Sequence, residues 1–396
     1  MPTVTQWQQA LTRQYQLRVE SSTDLCADVR SVQQRRAIEK RRSGKRPLRA
    51  KPPTPWPTAG QAETMMVRPV DMLHALGRIT TPPVTELIDL SSTWAEIRYL
   101  WAFLPNFDGR RLRSLRLNST VKDLDFHQKT LLSDEFGVGF AAYFMAVCAR
   151  ATDPVDVFVA KRGGQLRLRG NSRRSLPDYI FRGPQPGQFY IVECKGTQSA
   201  RATAVSQLQR GTEQVLAVDI AGAPGVTRLV IAAWLQQAVT LLIVDPEEDE
   251  ENPVEVRKLS RWEPEEIGIF ADAKRLTYIG DRAAASKLVR EHLEAGHELS
   301  FEERHLIPRE TRLGTYLGSQ WQAEMPDGRL LRMFRGLDGK IYEQIRQGTR
   351  PAPLESQGEI GIGRGEGFHV ESEGGDHRAV VRSISPDGSL FEIELQ

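Results

Sequence analysis

The segment LPDYIFRGPQPGQFYIVECKG, residues 176–196, constrains this chain more than any other. Its middle, Gly183-Pro-Gln-Pro-Gly187, forces a turn, because proline fixes φ and glycine admits conformations closed to other residues. The apolar runs on either side then read as the two strands of a hairpin. Side chains alternate along a strand, so Ile191, Glu193 and Lys195 share one face while Val192 and Cys194 take the other. The hairpin returns Glu193 and Lys195 beside Asp178. Two carboxylates and an ammonium at one end of an apolar sheet are unfavourable without a function or a counter-ion. A divalent cation is such a counter-ion: Mg²⁺ prefers carboxylate oxygens and keeps several waters. Beside a phosphodiester it stabilises developing charge and acidifies a bound water. Lys195 would orient that water or stabilise the transition-state charge.

The flanks read as an α/β (α+β) unit. Residues 124–150 carry a long helical apolar pattern. Strands are expected at Val155–Ala160, Asp178–Phe181, Gln188–Lys195 and Arg228–Leu235, with a fifth at Val239–Val244 and a helix over Arg201–Ala217. That order predicts a mixed central sheet flanked by helices.

Pro177-Asp178, fourteen intervening residues, then Glu193-Cys194-Lys195 resembles the PD-(D/E)XK nuclease superfamily. The resemblance covers residues 124–245 and implies a restriction-endonuclease-like core of helix, three-stranded meander, helix and strand. It implies that Asp178 and Glu193 hold Mg²⁺ or Mn²⁺, helped by the backbone carbonyl of Cys194. The preceding helix of that family often supplies a further acid, for which Glu135 stands in a suitable place, with Asp134 or Asp125 as alternatives. The following helix often presents a glutamine or a basic residue, here Gln207. The activity implied is hydrolysis of phosphodiester bonds, of DNA before RNA, with restriction or anti-phage defence as an extension. Two other readings stay open: a nuclease-fold protein that binds nucleic acid without cutting it, and a scaffold subunit of a larger complex.

Around that block, 124–300, the chain divides further. Residues 1–60 read as a basic helical arm and proline-rich linker, 61–123 as a helical region, and 301–396 as a small β-rich domain. In the last, turn signals separate short alternating runs such as RLLRMF, KIYEQI, RAVVRSI and SLFEIEL, predicting a small antiparallel barrel or sandwich. Its twelve Lys/Arg against sixteen Asp/Glu argue against a DNA clamp and for dimerisation or a protein partner. The glycine-rich run Gly361–Gly367 has no P-loop pattern, so no ATPase is expected.

A net charge of +2 hides segregated charge. Ten Lys/Arg lie between Arg30 and Lys51 against Glu39 alone, and another basic stretch runs from Lys161 to Arg174. Arg35, Arg36, Lys40, Arg41, Arg42, Arg173 and Arg174 are therefore candidate contacts to a polyanion such as nucleic acid. Three cysteines far apart, with no CxxC pair, exclude a disulfide framework and suit a reducing cytoplasm. No apolar run is long enough for a transmembrane helix, so no membrane partner is expected.

Overall fold

The computed structural model describes residues 3–44, 51–56, 64–83, 95–103, 113–162, 166–168, 176–220, 223, 225–236, 238–247, 266–290, 305–325, 327–349, 368–375 and 377–396. The chain begins with α1 (Val4–Thr12), β1 (Tyr15–Glu20), α2 (Thr23–Arg42), β2 (Thr64–Val67) and α3 (Pro69–Thr80). Next come α4 (Phe126–Val147), β3 (Asp153–Asp156), α5 (Val157–Arg162), β4 (Leu166–Leu168), β5 (Tyr179–Arg182) and β6 (Gln188–Thr197). These are followed by α6 (Arg201–Val215), β7 (Val218–Ile220), β8 (Gly225–Leu235), β9 (Val239–Val244), α7 (Ile267–Tyr278) and α8 (Arg282–Val289). The last group is β10 (Ile307–Thr311), β11 (Gly314–Glu324), β12 (Leu330–Asp338), α9 (Gly339–Arg346), β13 (His369–Gly374), β14 (Ala379–Ile384) and β15 (Ser389–Leu395).

Seven strands form a mixed sheet in the order β2-β1-β9-β8-β6-β5-β3. Within it β6 runs parallel to β8 and β1 parallel to β9, and the other pairs are antiparallel. The sheet is covered on both faces, which is why β8 and β9 read as nearly continuous apolar runs. On one face Tyr190, Val192 and Cys194 pack into a cluster with Phe136, Phe140 and Phe144 of α4. On the other, Phe189 and Ile191 meet Ala204, Val205 and Leu208 of α6. The expected mixed sheet between helices is therefore present. No helix among the described residues is long and apolar enough to cross a membrane.

Three local expectations are corrected. Val157–Ala160 do not continue a strand: they open α5, whose Val157 N–H donates to the Asp178 carbonyl at 3.0 Å. KIYEQI is helix α9, because the Asp338 carboxylate caps it by accepting from the N–H groups of Lys340 and Ile341, at 2.9 and 3.2 Å. Ile341 and Ile345, one turn apart, then bury together. The N-terminal segment, read as polar helices and linker, contains β1, whose alternate Tyr15, Leu17 and Val19 are buried in the main sheet. Thr54, in the proline-rich stretch, exchanges backbone hydrogen bonds with Asp245, and Trp56 is buried.

The six C-terminal strands form an antiparallel sheet in the order β10-β11-β12-β15-β14-β13. It shares a hydrophobic cluster with α1 and α3 through Leu331, Met333, Phe391 and Ile393. Buried polar bonds fix the junction. His74 of α3 is held between the hydroxyls of Ser383 and Ser389, at 3.2 and 3.0 Å. Asp387, in the β14–β15 turn, pairs with Arg78 of α3 and with Arg275 of α7. Arg335 of β12 donates from Nε to Glu96 at 3.0 Å. Burial pushes Glu96 up to about 7 despite that partner. Charges so placed are costly to unpair, which holds the two sheets in register.

Candidate active site

The β5–β6 hairpin forms as its sequence dictates. Gly187 takes φ +74°, the left-handed region that glycine enters freely, and the Gly183 N–H donates to the Gln188 carbonyl at 2.8 Å. Tyr179 then pairs with Val192, which sets Asp178 level with Glu193. Past Val192 the β5 ladder ends. The Asp178 carboxylate takes its place, with Oδ2 accepting from the Cys194 N–H at 2.8 Å. A strand residue projects its N–H and C=O to the same edge, so the Cys194 carbonyl also faces the Asp178 side. The thiol of Cys194 is buried on the opposite face, among the α4 contacts.

Glu193 is fully buried, and its stem lies against α6, where a Cβ on Gly211 would come within 3.0 Å of Cγ. Its Oε1 accepts from the half-buried Lys195 ammonium. Its Oε2 is buried with no partner among the described residues. Asp178 is near enough to bond Glu193 only once one of the two carboxyls carries a proton. Burial, and then the Asp178 charge, push Glu193 up to about 8, against the pull of Lys195. Asp178 is also raised by burial, opposed by Lys195 and by the Cys194 N–H. For Lys195, burial works against the charge, but Glu193 and Asp178 more than offset it and the ammonium is held on. The pair is thus poised to share either a proton or a cation.

Glu135, the expected acid of the preceding helix, and its alternative Asp134 have different surroundings. Glu135 faces Arg98, 3.7 Å from its guanidinium. Asp134, at the rim, is the acid whose charge reaches the site: Asp178 is raised further by it. Partial burial raises Asp134 itself, and Lys195 lowers it. The cause is how α4 seats on β6. A Cβ on Gly196 would lie 1.7 Å from the Ser133 carbonyl oxygen, and one on Gly137 would lie 2.5 Å from the Lys195 carbonyl carbon. Helix and strand therefore touch backbone to backbone along Ser133 and Gly137. Asp134, about 100° further round the helix, turns toward the carboxylates, whereas Glu135 is carried past them. The signal available in the sequence was the small pair Ser133 and Gly137, four residues apart.

Gln207 of α6 reaches the end of β6, with Nε2 3.5 Å from the Gly196 carbonyl and Oε1 buried without a partner among the described residues. It stands one residue beyond Lys195 and touches neither carboxylate by a hydrogen bond. No group of three or more His, Cys, Asp or Glu that would hold a metal occurs among the described residues.

The basic candidates are divided. Arg35, Arg41 and Arg42 are exposed on α2, which packs on α6. Lys40 is engaged with Glu213 at 2.7 Å, and Arg36 is half-buried beside Arg210 and Glu213. Arg173 and Arg174 lie outside the described residues. Comparison of the chain with protein-family models, curated proteins and solved structures found no match.

Proposed function

We propose that this chain is a Mg²⁺- or Mn²⁺-dependent nuclease of the PD-(D/E)XK type, hydrolysing phosphodiester bonds, with DNA as its preferred substrate. The observation that carries the proposal is the buried, partnerless Oε2 of Glu193 beside the Asp178 carboxylate and the Lys195 ammonium. Nothing in the apolar packing calls for two carboxylates there, and a structural ion pair would need only one. The succession α4, the β3–β5–β6 meander, α6 and β8 parallel to β6 supports a restriction-endonuclease-like core.

The residues fit a hydrated hard cation. Mg²⁺ is commonly held by one or two carboxylates and keeps several waters, so Asp178 and Glu193 with the Cys194 carbonyl suffice as ligands. Such an ion supplies Lewis-acid stabilisation and a more acidic water. The rest is the work of the chain's own groups. Glu193 and Asp178 would hold the cation as carboxylates, with Asp178 kept in place by the Cys194 N–H. Lys195 would present its ammonium to the scissile phosphate. Asp134, in place of Glu135, accepts hydrogen bonds from waters at the rim. Gln207 closes the α6 side. Exposed Arg35, Arg41 and Arg42 attract the backbone at longer range. A cytoplasmic role in restriction or defence is an extension of this reading.

Purified protein is tested on supercoiled, linear and single-stranded substrates with Mg²⁺ or Mn²⁺. Cleavage that vanishes in Asp178→Ala, and that falls by orders of magnitude in Lys195→Ala with Mn²⁺ still bound, is expected. Undiminished cleavage by Asp178→Ala would overturn the assignment.

A further inference from the structure

Two phenylalanines stand in water at the edges of this site. Phe126, at the start of α4, is 87% exposed, and Phe158, on α5, is 62% exposed. Solitary apolar side chains on a surface are ordinary, but both of these are placed by the site itself. Phe126 shares the α4 stripe that carries Ser133 and Gly137 onto β6. That stripe continues to Lys129 and Ser133, whose carbonyl and hydroxyl accept from Gln198 just past the strand, at 3.2 and 3.1 Å. One turn earlier the strand has ended, so Phe126 overhangs its C-terminal edge. Phe158 follows Val157, the residue whose N–H is bonded to the Asp178 carbonyl. Phe158 thus follows the residue bonded to the Asp178 backbone, and Phe126 lies beyond the C-terminal end of the strand that carries Glu193 and Lys195.

Each ring is also followed three residues on by a lysine, in Phe126-His-Gln-Lys129 and Phe158-Val-Ala-Lys161. On a helix that spacing sets an aromatic ring and an ammonium side by side on one face. Lys161 is exposed and Lys129 half-buried. A flat apolar ring beside a positive charge, present on both helices next to the carboxylate-bearing strands, matches a chain of π-faced bases joined by phosphates. It does not match a closed duplex, whose bases are stacked inside and present no face to a side chain.

We propose that the strand entering this site is unpaired, and that Phe126 and Phe158, on the two helices next to the carboxylate-bearing strands, stack its bases. This rests on the nuclease reading and narrows its substrate to single-stranded or locally opened nucleic acid. Stacking on an aromatic ring is sequence-tolerant, so no base preference is expected.

The full chain is titrated by fluorescence anisotropy, in EDTA and at fixed salt, against a labelled oligothymidylate and a blunt duplex of equal length. The oligothymidylate is expected to bind more tightly. Phe126→Ala and Phe158→Ala should each weaken it about tenfold or more, and Phe126→Trp should restore it, with duplex binding unchanged. Both side chains are exposed, and circular dichroism checks that the variants are folded. Unchanged affinity in both alanine variants, an equal loss on the duplex, or no binding to either probe overturns the proposal. Because no divalent ion is present, the outcome is separate from catalysis. Phenylalanine-dependent binding without any Mg²⁺- or Mn²⁺-dependent cleavage would sink the nuclease reading and leave the stacking platforms standing.

Discussion

The Lys195 ammonium bonds one oxygen of Glu193 and leaves the other, Oε2, buried with no donor among the described residues. The sequence places these two residues on one face of β6, and the fold adds Asp178 on the open side. A half-answered carboxylate next to a second carboxylate is unstable toward whatever positive charge can reach it. Proton, ammonium and metal ion therefore compete for one position.

That competition has a sign. The Glu193 carboxyl lies at about 8 in the fold against an ordinary value of 4.5, so the folded protein favours its protonated form. The stability it contributes is complete below pH 4.5 and is lost as pH rises through about 8. Glu193→Gln should abolish this slope: urea unfolding at pH 5 should match the wild type, while at pH 9 the variant should be more stable by a few kcal/mol, on the order set by such a shift. Mn²⁺ should stabilise the wild type more strongly at pH 9 than at pH 6, since binding displaces a proton. Parallel stability curves for the two proteins would count against a protonated Glu193.

Asp134 and Glu135 are neighbours with opposite expected effects. Asp134→Asn should lower cleavage at least tenfold and move the pH–rate profile, because its charge acts on Asp178 and Lys195. Glu135→Gln should leave the rate within about twofold and loosen its contacts with Arg98 and Tyr99. The reverse ranking in single-turnover kinetics would restore Glu135 as the acid.

The seating of α4 on β6 makes a third test. Gly196→Ala drives a Cβ into the Ser133 carbonyl, and Gly137→Ala drives one into the Lys195 backbone. Backbone cannot yield as a side-chain end can, so each change should cost about 1–3 kcal/mol or more and displace Asp134 from the site. At Gly139 the new Cβ meets Leu76 and Met72 side chains at 3.1–3.4 Å, and Gly139→Ala should be milder. Melting temperatures rank the three, and equal losses would mean that the contact does not set the register.

What was legible in the sequence was local. The Gly-Pro turn, the alternation of Ile191, Glu193 and Lys195, and the long apolar stripe of α4 each follow from neighbours along the chain. Asp134 was not separable from Glu135, because the rotation of α4 is fixed by Gly196, some sixty residues away in sequence. Strand β1 was missed for a similar reason. Its six residues lie between two helices, and its parallel partner β9 starts at Val239. Alternation in α5 was overruled by the Asp178 carbonyl, which only the folded chain brings to that terminus, whereas at α9 the adjacent Asp338 is a local cap that competes with the alternating pattern.

The basic face of α2 supplies the last prediction. Deleting the whole N-terminal segment would remove β1 from the main sheet and is not an informative experiment. Arg35, Arg41 and Arg42 are exposed, whereas Lys40 and Arg36 lean on α6 and support the fold. Replacing the three exposed arginines by glutamine should therefore leave stability within about 0.5 kcal/mol. Each arginine that meets a phosphate contributes about −0.7 on a single strand and about −0.9 on a duplex to the slope of log K against log salt, so the triple variant should flatten that slope by up to about 2.1 or 2.7 respectively. Cleavage at saturating substrate should persist, because α6 separates these side chains from Glu193. Lys40→Gln is the contrast: it breaks the ion pair with Glu213 and should lower stability slightly while leaving the salt slope alone. An unchanged slope in the triple variant would remove α2 from any contact with nucleic acid.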